Sequence, residues 1–182
     1  MRSGAESHPK VGARVRPTDQ EGIRSTVMTG SMHDWQADFA VFNERGELTA
    51  VAEAKKKSNV DRKWATAWFR NYLVHQRSSV PAFVLLATPD KLYLWKQPSD
   101  ATSAEPTAVA DAQRLFAGYL QRSARGVSEL SGRTFELVVG AWLNDLSQHI
   151  WLPIAPDEVS ALVETGLFDA VENGRVVADV AA

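Results

Sequence analysis

The residues of this chain best suited to chemistry are two acids and a lysine: Asp38, Glu53 and Lys55. They lie in a stretch that reads Trp-Gln-Ala-Asp-Phe-Ala-Val-Phe, then Asn-Glu-Arg-Gly-Glu, then Leu-Thr-Ala-Val-Ala-Glu-Ala-Lys-Lys-Lys. Two apolar runs of strand length, separated by a short polar segment with a glycine, predict a β-hairpin. Asp38 then lies at the start of the first strand, and Glu53 lies near the end of the second.

The loop of this hairpin determines which residues face each other. We expect Arg45 and Gly46 to form a two-residue loop. Residues that are directly opposite in an antiparallel pair share one face of the sheet. The cross-strand pairs that follow are Glu44 with Glu47, Phe42 with Thr49, and Asp38 with Glu53.

Alternation along the second strand brings the three ionisable side chains together. Glu53 and Lys55 point to the face of Asp38, whereas Ala52 and Ala54 point to the opposite face. Two carboxylates whose Cβ atoms are about 5 Å apart repel by roughly 3 kcal/mol at an effective dielectric constant of 20. A positive group must therefore lie between them.

Two kinds of positive group meet this requirement. A hard cation such as Mg²⁺ takes one or two carboxylates, keeps several waters and uses substrate phosphate oxygens as its remaining ligands. Lys55 would then orient or help deprotonate the attacking water, or neutralise charge at the phosphorus. In the alternative, Lys55 alone neutralises both acids in a salt-bridged cluster, and a register shift of one residue would separate the acids.

This arrangement resembles the PD-(D/E)xK nuclease superfamily, in the form Asp38 followed by Glu53-Ala54-Lys55. The resemblance is carried by an Asp at the start of a hairpin, a polar turn, and Glu-x-Lys near the end of an apolar second strand. It implies that Asp38 and Glu53 are metal ligands, that the carbonyl of Ala54 is a further ligand, and that Lys55 is the catalytic lysine. Ala37 stands in place of the proline that gives the superfamily its name.

The resemblance also implies a fold and an activity. The expected fold is α/β, with a restriction-endonuclease-like core in which helices flank a central mixed sheet. The expected activity is hydrolysis of phosphodiester bonds, with DNA as partner and Mg²⁺ as cofactor, for which Mn²⁺ substitutes. Members often add a glutamate from an N-terminal helix to the metal site, and Glu21 is the candidate here. Residues 80 to 96 also resemble a group of uncharacterised bacterial proteins associated with this fold.

The alternative function is a catalytically silent module of the same fold, which binds nucleic acid or a protein partner. A third interpretation is a purely structural partner subunit. It rests on the acidic character of the second half of the chain, where seven acids accompany a single basic residue from position 141 onward.

The other elements follow the order that the resemblance implies. Apolar residues at helical spacing from 61 to 76 predict an amphipathic helix. The apolar run from 81 to 87 predicts a strand buried on both faces, and 91 to 95 predicts another strand. The order is strand, strand, helix, strand, strand, and the crossover helix makes the second and third strands parallel.

Three regions follow from these patterns. Residues 1–96 form the nuclease-like core with a basic N-terminal arm, and residues 97–107 form a linker containing two prolines. Residues 108–182 form a helical extension that packs on the core, pairs with a second copy in a homodimer, or docks to a partner protein. Its predicted helices lie near 109–120, at 135–146 and from 156 to 166, followed by a strand-like tail at 176–180.

Basic residues are concentrated directly after the hairpin. Seven of them lie between Lys55 and Arg77, accompanied by one acid. Lys63, Arg70 and Arg77 recur every seven residues and form one ridge of the predicted helix. Guanidinium groups suit phosphate, so this ridge is the predicted nucleic-acid contact, and a solvated helix face is the alternative.

Composition excludes several other function classes. The 182 residues are 45% hydrophobic and 23% charged, which is typical of a globular protein. The absence of cysteine excludes disulfides, thiolate zinc sites and a cysteine nucleophile. Phosphate-loop, serine-hydrolase and zinc-protease motifs are also absent. Because the sequence shows neither a membrane span nor a signal peptide at its start, we expect a cytoplasmic protein without a membrane partner.

Overall fold

The chain folds into a six-stranded mixed β-sheet with helices packed on both faces. In the computed structural model, the described residues are 37–75, 81–96, 104–120, 126–150 and 156–178. The α/β class expected from the sequence is therefore confirmed. Two predicted site residues, Glu21 and Arg77, lie outside the described residues, as does most of the predicted linker.

Along the first half of the chain, the described elements are two pairs of strands separated by one helix, and the later elements are mainly helical. The strands are β1 (Phe39–Phe42), β2 (Leu48–Ala54), β3 (Phe83–Ala87), β4 (Lys91–Lys96), β5 (Ala108–Asp111) and β6 (Arg175–Ala178). The helices are α1 (Arg62–His75), α2 (Ala112–Leu115), α3 (Ala117–Leu120), α4 (Gly132–Ser147), α5 (Pro156–Val163) and α6 (Leu167–Val171). Across the sheet, the strands follow the order β5-β4-β3-β2-β1-β6.

β1 and β2 form the predicted hairpin, and its register at the open end agrees with the prediction. Phe39 pairs with Ala52 in an antiparallel ladder. Continuing this register by one residue puts Asp38 opposite Glu53. β2 and β3 are parallel, with α1 between them in sequence, so the expected crossover connection is confirmed.

The loop of the hairpin is longer than predicted. The Asn43 N–H donates to the Glu47 carbonyl at 3.0 Å, and Gly46 has a left-handed φ of 76°. Asn43 Oδ1 also accepts from the N–H groups of Arg45 and Glu47, at 3.0 Å each. This arrangement is typical of a three-residue loop that ends in a left-handed glycine. The predicted two-residue loop is therefore wrong, as is the predicted pair of Glu44 with Glu47.

A bulge in β2 compensates for the longer loop. Phe42 pairs with Leu48, whereas the next pair outward is Val41 with Ala50, so Thr49 is an extra residue on β2. The predicted pair of Phe42 with Thr49 is wrong for this reason. The longer loop shifts the strand pairing by one residue, and the extra residue on β2 shifts it back. From Val41 outward, the register is therefore the predicted one. The site end of the hairpin is therefore unaffected.

The two faces of the sheet are covered by different helices. α1 begins after Asp61, whose Oδ1 accepts from the Trp64 N–H at 2.7 Å. Its Phe69 ring stacks on Trp95 of β4 with centroids 4.5 Å apart. The strand β3 is buried on both faces, as predicted, with each residue at most 4% exposed. The core on the α1 face consists of Ala37, Val51, Val60, Ala65, Phe69, Tyr72, Val84, Leu86, Tyr93, Trp95 and Ala104.

On the opposite face, α4 packs over Phe39 of β1 and runs in the same direction as β1. Gly140 is a point of close approach, because a Cβ atom there would be 2.8 Å from Phe39 Cε1. Near the C-terminal end of α4, the Asn173 N–H donates to the Ser147 carbonyl at 2.8 Å, and β6 then begins opposite Phe42. The N-terminal end of α4 therefore lies toward the open end of the hairpin.

The segment from 108 to 178 contributes both edge strands of the sheet. β5 pairs with β4, and β6 pairs with β1, each in antiparallel orientation. The predicted strand-like tail corresponds to β6, whereas the helix predicted from Val109 begins later. Asp111 caps α2, because its side chain accepts from the N–H groups of Gln113 and Arg114, and the residues before it extend the sheet. None of the described helices is long and apolar enough to cross a membrane.

The close approach at Gly140 makes a stability prediction. In Gly140→Ala, overpacking against Phe39 costs about 1–3 kcal/mol, which exceeds the helix-propensity gain of about 1 kcal/mol. We expect the free energy of unfolding, measured with urea, to fall by about 1 kcal/mol. Gly132→Ala in the same helix is the control, because no atom lies within 4 Å of its Cβ position. Equal stabilisation by both substitutions would contradict the packing described for α4.

Candidate functional site

Glu53 is a buried acid near the end of β2. It is 6% exposed and lies on the α1 face, two residues after Val51. Its Oε1 forms an ion pair with Lys55 Nζ, but Oε2 is buried without a hydrogen-bond partner among the described residues. A buried acceptor left unpaired costs about 1–3 kcal/mol, and more when it is charged. This oxygen is therefore the clearest unpaired buried acceptor in the described part of the chain.

Asp38 faces Glu53 across the hairpin. Its Oδ2 accepts a hydrogen bond from the Ala54 N–H at 2.7 Å, which fixes the carboxylate at the end of β2. The structure therefore brings Asp38 and Glu53 together, as the register predicts. The N–H of Ala54 has a defined role here, while the proposed metal-binding role of its carbonyl stays a prediction.

Lys55 directly follows Ala54, the last residue of β2. Its N–H donates to the Ala87 carbonyl at 2.8 Å, and its side chain is 47% exposed. The ammonium therefore touches the buried Glu53 while remaining accessible to a large molecule. Lys56 and Lys57 follow as exposed residues, and the Lys57 ammonium lies 4.6 Å from the centroid of the Trp64 ring.

The environment shifts the pKa values of this pair in the same direction. Burial raises the pKa of Glu53; the hydrogen bond from Lys55 opposes this rise, and the charge of Asp38 adds to it. Partial burial lowers the pKa of Lys55, but its hydrogen bond to Glu53 and the surrounding negative charges raise it overall. Those charges belong to Glu53, Asp38 and Glu136. The lysine is therefore held in its charged form.

Tyr72 of α1 adds a second buried polar group on the same side of the sheet. Its hydroxyl is buried without a hydrogen-bond partner among the described residues. Burial raises the pKa of Tyr72, and the negative charge of Glu53 raises it further. The hydroxyl therefore remains protonated and is a donor within electrostatic range of Glu53. The sequence shows Tyr72 only as one member of the apolar stripe of the helix.

Two residues of the predicted basic ridge, Lys63 and Arg70, lie on α1 and face away from the sheet. Lys63 and Arg70 are both exposed, and neither makes a hydrogen bond or ion pair within the described parts of the chain. At 100° per residue, Arg70 is about 140° around the helix from Ala65, which is fully buried against the sheet. Arg77 cannot be placed, because it lies outside the described residues. The phosphate contact therefore stays a prediction.

Glu136 of α4 is a site residue that sequence analysis missed. It is partly buried, and its charge contributes to the raised pKa of Lys55. Its signal in the sequence is weak, since a single acid within a long apolar helix also fits a solvated position. Only the placement of α4 against the hairpin shows that this acid and Lys55 lie near each other.

The donor set fits a small, hard cation with few protein ligands. Within the described residues, no group of three or more His, Asp or Glu side chains converges on one point. Two carboxylates do converge, and one oxygen of Glu53 has no partner. Mg²⁺ accepts such a site, because it uses one or two carboxylates and completes its ligands with water and phosphate oxygens.

The raised pKa of Glu53 predicts how stability depends on pH. Because the pKa is higher in the folded chain, the stability contributed by this group is present below its ordinary value of 4.5 and is lost as pH rises through the folded value. We expect Glu53→Gln to lack this loss and to have a higher free energy of unfolding than wild type at neutral pH. Urea unfolding across this pH range measures the effect, and the exposed Glu129→Gln is the control. Parallel pH profiles for wild type and Glu53→Gln would contradict the burial of an ionised Glu53.

Comparison with known proteins gives no match: no family model, no curated protein and no solved structure is significantly similar to the chain. The resemblance to the PD-(D/E)xK superfamily therefore rests on the hairpin motif and on the order of the elements around it. The geometry of Asp38, Glu53 and Lys55 is the basis on which a function can be argued.

Proposed function

We propose that this chain is a metal-dependent nuclease that hydrolyses phosphodiester bonds in DNA. The observation that carries the proposal is the buried Glu53 carboxylate, which has one oxygen on Lys55 and the other without a partner among the residues that the structure describes. Asp38 lies opposite and adds a second negative charge. Acid, acid and lysine in this order, on a hairpin followed by a helix and a parallel strand, are the features that the superfamily resemblance requires.

The energetic cost of this arrangement supports a functional role. Glu53 is a buried carboxyl group beside a second acid, and both burial and the charge of Asp38 raise its pKa. Perturbed ionisable groups of this kind are concentrated at active sites. A purely structural cluster at this position would be more stable with both oxygens of Glu53 paired.

Mg²⁺ is the proposed cofactor, with Mn²⁺ as its substitute. Asp38 and Glu53 would hold the ion, since their oxygens are the hard donors that these cations prefer. When bound, it supplies positive charge that polarises a phosphate oxygen and lowers the pKa of water. Lys55 would then no longer be needed to neutralise Glu53, and its ammonium would become available to the substrate.

The proposed role of Lys55 is electrostatic. Its raised pKa favours the charged ammonium at neutral pH, and a charged lysine is a poor proton acceptor. It is therefore suited to neutralise the negative charge that develops on a phosphate during hydrolysis. Its half-exposed side chain allows contact with a polymeric substrate. These observations favour charge neutralisation over proton abstraction, which were the two roles left open by the sequence.

DNA is the proposed substrate because positive charge lies next to the acids. Lys55, Lys56 and Lys57 are consecutive and exposed at the end of β2, and Lys63 and Arg70 follow on α1. Basic side chains near a phosphodiester neutralise the backbone and release counterions, which supports binding. Lys56 and Lys57 adjoin the site more closely than the ridge, since the ridge faces away from the sheet.

A silent binding module is the second candidate, and one observation favours it. Lys55 already pairs with Glu53, and Asp38 already accepts from the Ala54 N–H. Two of the four carboxylate oxygens therefore have a partner without a cation, which would allow such a cluster to persist. In this case the chain would hold nucleic acid, or a protein partner through the segment from 108 to 182, without cleaving either.

The first test of the proposal is metal binding. Titration calorimetry with Mn²⁺ should detect binding by wild type, and Glu53→Ala should abolish it, because this change removes one of two ligands. Glu44→Ala is the control, since Glu44 is exposed in the loop of the same hairpin. Binding that is unchanged in Glu53→Ala would exclude the assigned site.

The second test separates a nuclease from a binding module. Plasmid and linear DNA, single-stranded and double-stranded, are incubated with Mg²⁺, with Mn²⁺ and with chelator. We expect cleavage that needs metal and that falls by about 10²–10³-fold in Lys55→Ala, while metal and DNA affinity persist. Lys56→Ala is the matched control, because it removes a neighbouring positive charge that makes no ion pair within the described part of the chain. It should weaken DNA binding but leave the cleavage rate at saturating DNA close to that of wild type.

Two results would count against the nuclease. Wild-type protein that binds DNA but cuts none of these substrates would support the silent module. Cleavage at the wild-type rate by Lys55→Ala would remove the motif formed by Glu53, Ala54 and Lys55 from the mechanism.

A further inference from the structure

Glu136 occupies a helix position that normally belongs to the core. It lies on α4 three, four and seven residues before Val139, Gly140 and Leu143, and residues at these spacings share one helix face. Val139 and Leu143 are buried against the sheet, at 0% and 1% exposure. Glu136 therefore continues the sheet-facing stripe of α4 at its N-terminal end, where the side chain is only partly buried.

The position of Glu136 along the strand direction of the sheet follows from the packing of α4. Gly140 contacts Phe39, and Phe39 pairs with Ala52. One turn back along the helix, Glu136 lies about 6 Å beyond this contact. Ala54 lies two residues beyond Ala52 on β2, and at about 3.3 Å per residue this is a similar distance along the sheet. Glu136 is therefore level with the end of β2, on the side of the sheet opposite to α1.

Lys55 directly follows the last residue of β2, at the end of the strand that separates the two faces. Its side chain is half-exposed, and its ammonium pairs with Glu53. Glu53 and Asp38 lie on the α1 side, and Glu136 lies on the α4 side. The charges of all three acids act on Lys55, so negative charge acts on the ammonium from both faces, and Glu53 is its ion-pair partner.

A second, independent observation is the unpaired oxygen of Glu53. The Glu53 side chain is 7% exposed, and its Oε2 has no partner within the described parts of the chain. A lysine cannot satisfy both Glu53 oxygens and Asp38 at once while also reaching a substrate. An alternative partner for its ammonium would allow Glu53 to take another cation.

We propose that Glu136 is a positioning residue, which pairs with the Lys55 ammonium across the end of the sheet when Glu53 binds a divalent cation. Glu136 thereby holds the lysine close to the site, without binding the cation itself. The exchange on cation binding rests on the proposed function, whereas the pairing of Lys55 with Glu136 does not.

The pairing is tested without metal, by NMR of the lysine ammonium groups in the full chain. In Glu53→Gln, the Lys55 ammonium loses its first partner and turns to Glu136. We expect Glu136→Gln, added to this variant, to shift the Lys55 Nζ signal, and Glu136→Asp to restore it in part. Glu129→Gln is the control, since this acid is exposed and precedes α4. Backbone amide spectra verify that each variant is folded.

The exchange is tested by the Mn²⁺ affinity of four proteins: wild type, Glu136→Gln, Lys55→Ala and the double variant. Without Glu136, the ammonium stays near Glu53 and repels the cation, so we expect affinity to fall about fivefold. In the Lys55→Ala background, Glu136→Gln should have no effect, because the ammonium is absent.

The outcomes separate this proposal from its alternatives. An unmoved Lys55 signal in the absence of metal would overturn the pairing. A loss of Mn²⁺ affinity that is as large without Lys55 would make Glu136 a metal ligand and overturn the positioning role. If wild type binds no Mn²⁺, the proposed function fails, and the metal-free NMR result alone decides whether Lys55 pairs with Glu136.

Discussion

The structure around the hairpin is organised by one constraint, which is the negative charge of Glu53 in a place that water hardly reaches. Burial and the facing charge of Asp38 both oppose ionisation of Glu53, and its ion pair with Lys55 offsets this only in part. Because one oxygen has no partner among the described residues, the described part of the chain leaves some of this charge uncompensated. A divalent cation with few protein ligands would compensate it, and that requirement links the fold to the proposed chemistry.

Several elements hold these charges in place. The bulge at Thr49 restores the register beyond the longer loop, so that Asp38 remains opposite Glu53. The β3 strand continues to pair past the end of β2, through the Lys55 N–H. α1 covers one face of the sheet and contributes Tyr72 there, and α4 covers the other face. The acids are therefore carried by paired strands in the middle of the sheet, which keeps their separation fixed better than loops would.

The sequence predicts the local features of this site well, because strand alternation and the order of elements depend on neighbouring residues. Asp38 and Glu53 share a face for this reason, and the buried strand β3 follows from its apolar run. The loop was predicted incorrectly because Asn43 closes a longer turn with its side chain. Glu136 was missed because its distance from Lys55 depends on how α4 packs on β1, at Gly140, and no local pattern specifies that contact.

The most direct test of the central claim is a crystal structure of the wild-type chain soaked with Mn²⁺, measured with anomalous scattering. We expect an anomalous peak for a Mn²⁺ ion bound by carboxylate oxygens of Asp38 and Glu53, with Lys55 Nζ no longer paired with Glu53. A map with no peak at this position, and with the ion pair of Lys55 and Glu53 intact, would contradict the central claim. The acids and the lysine would then form a salt-bridged cluster, and the hairpin would have a structural role.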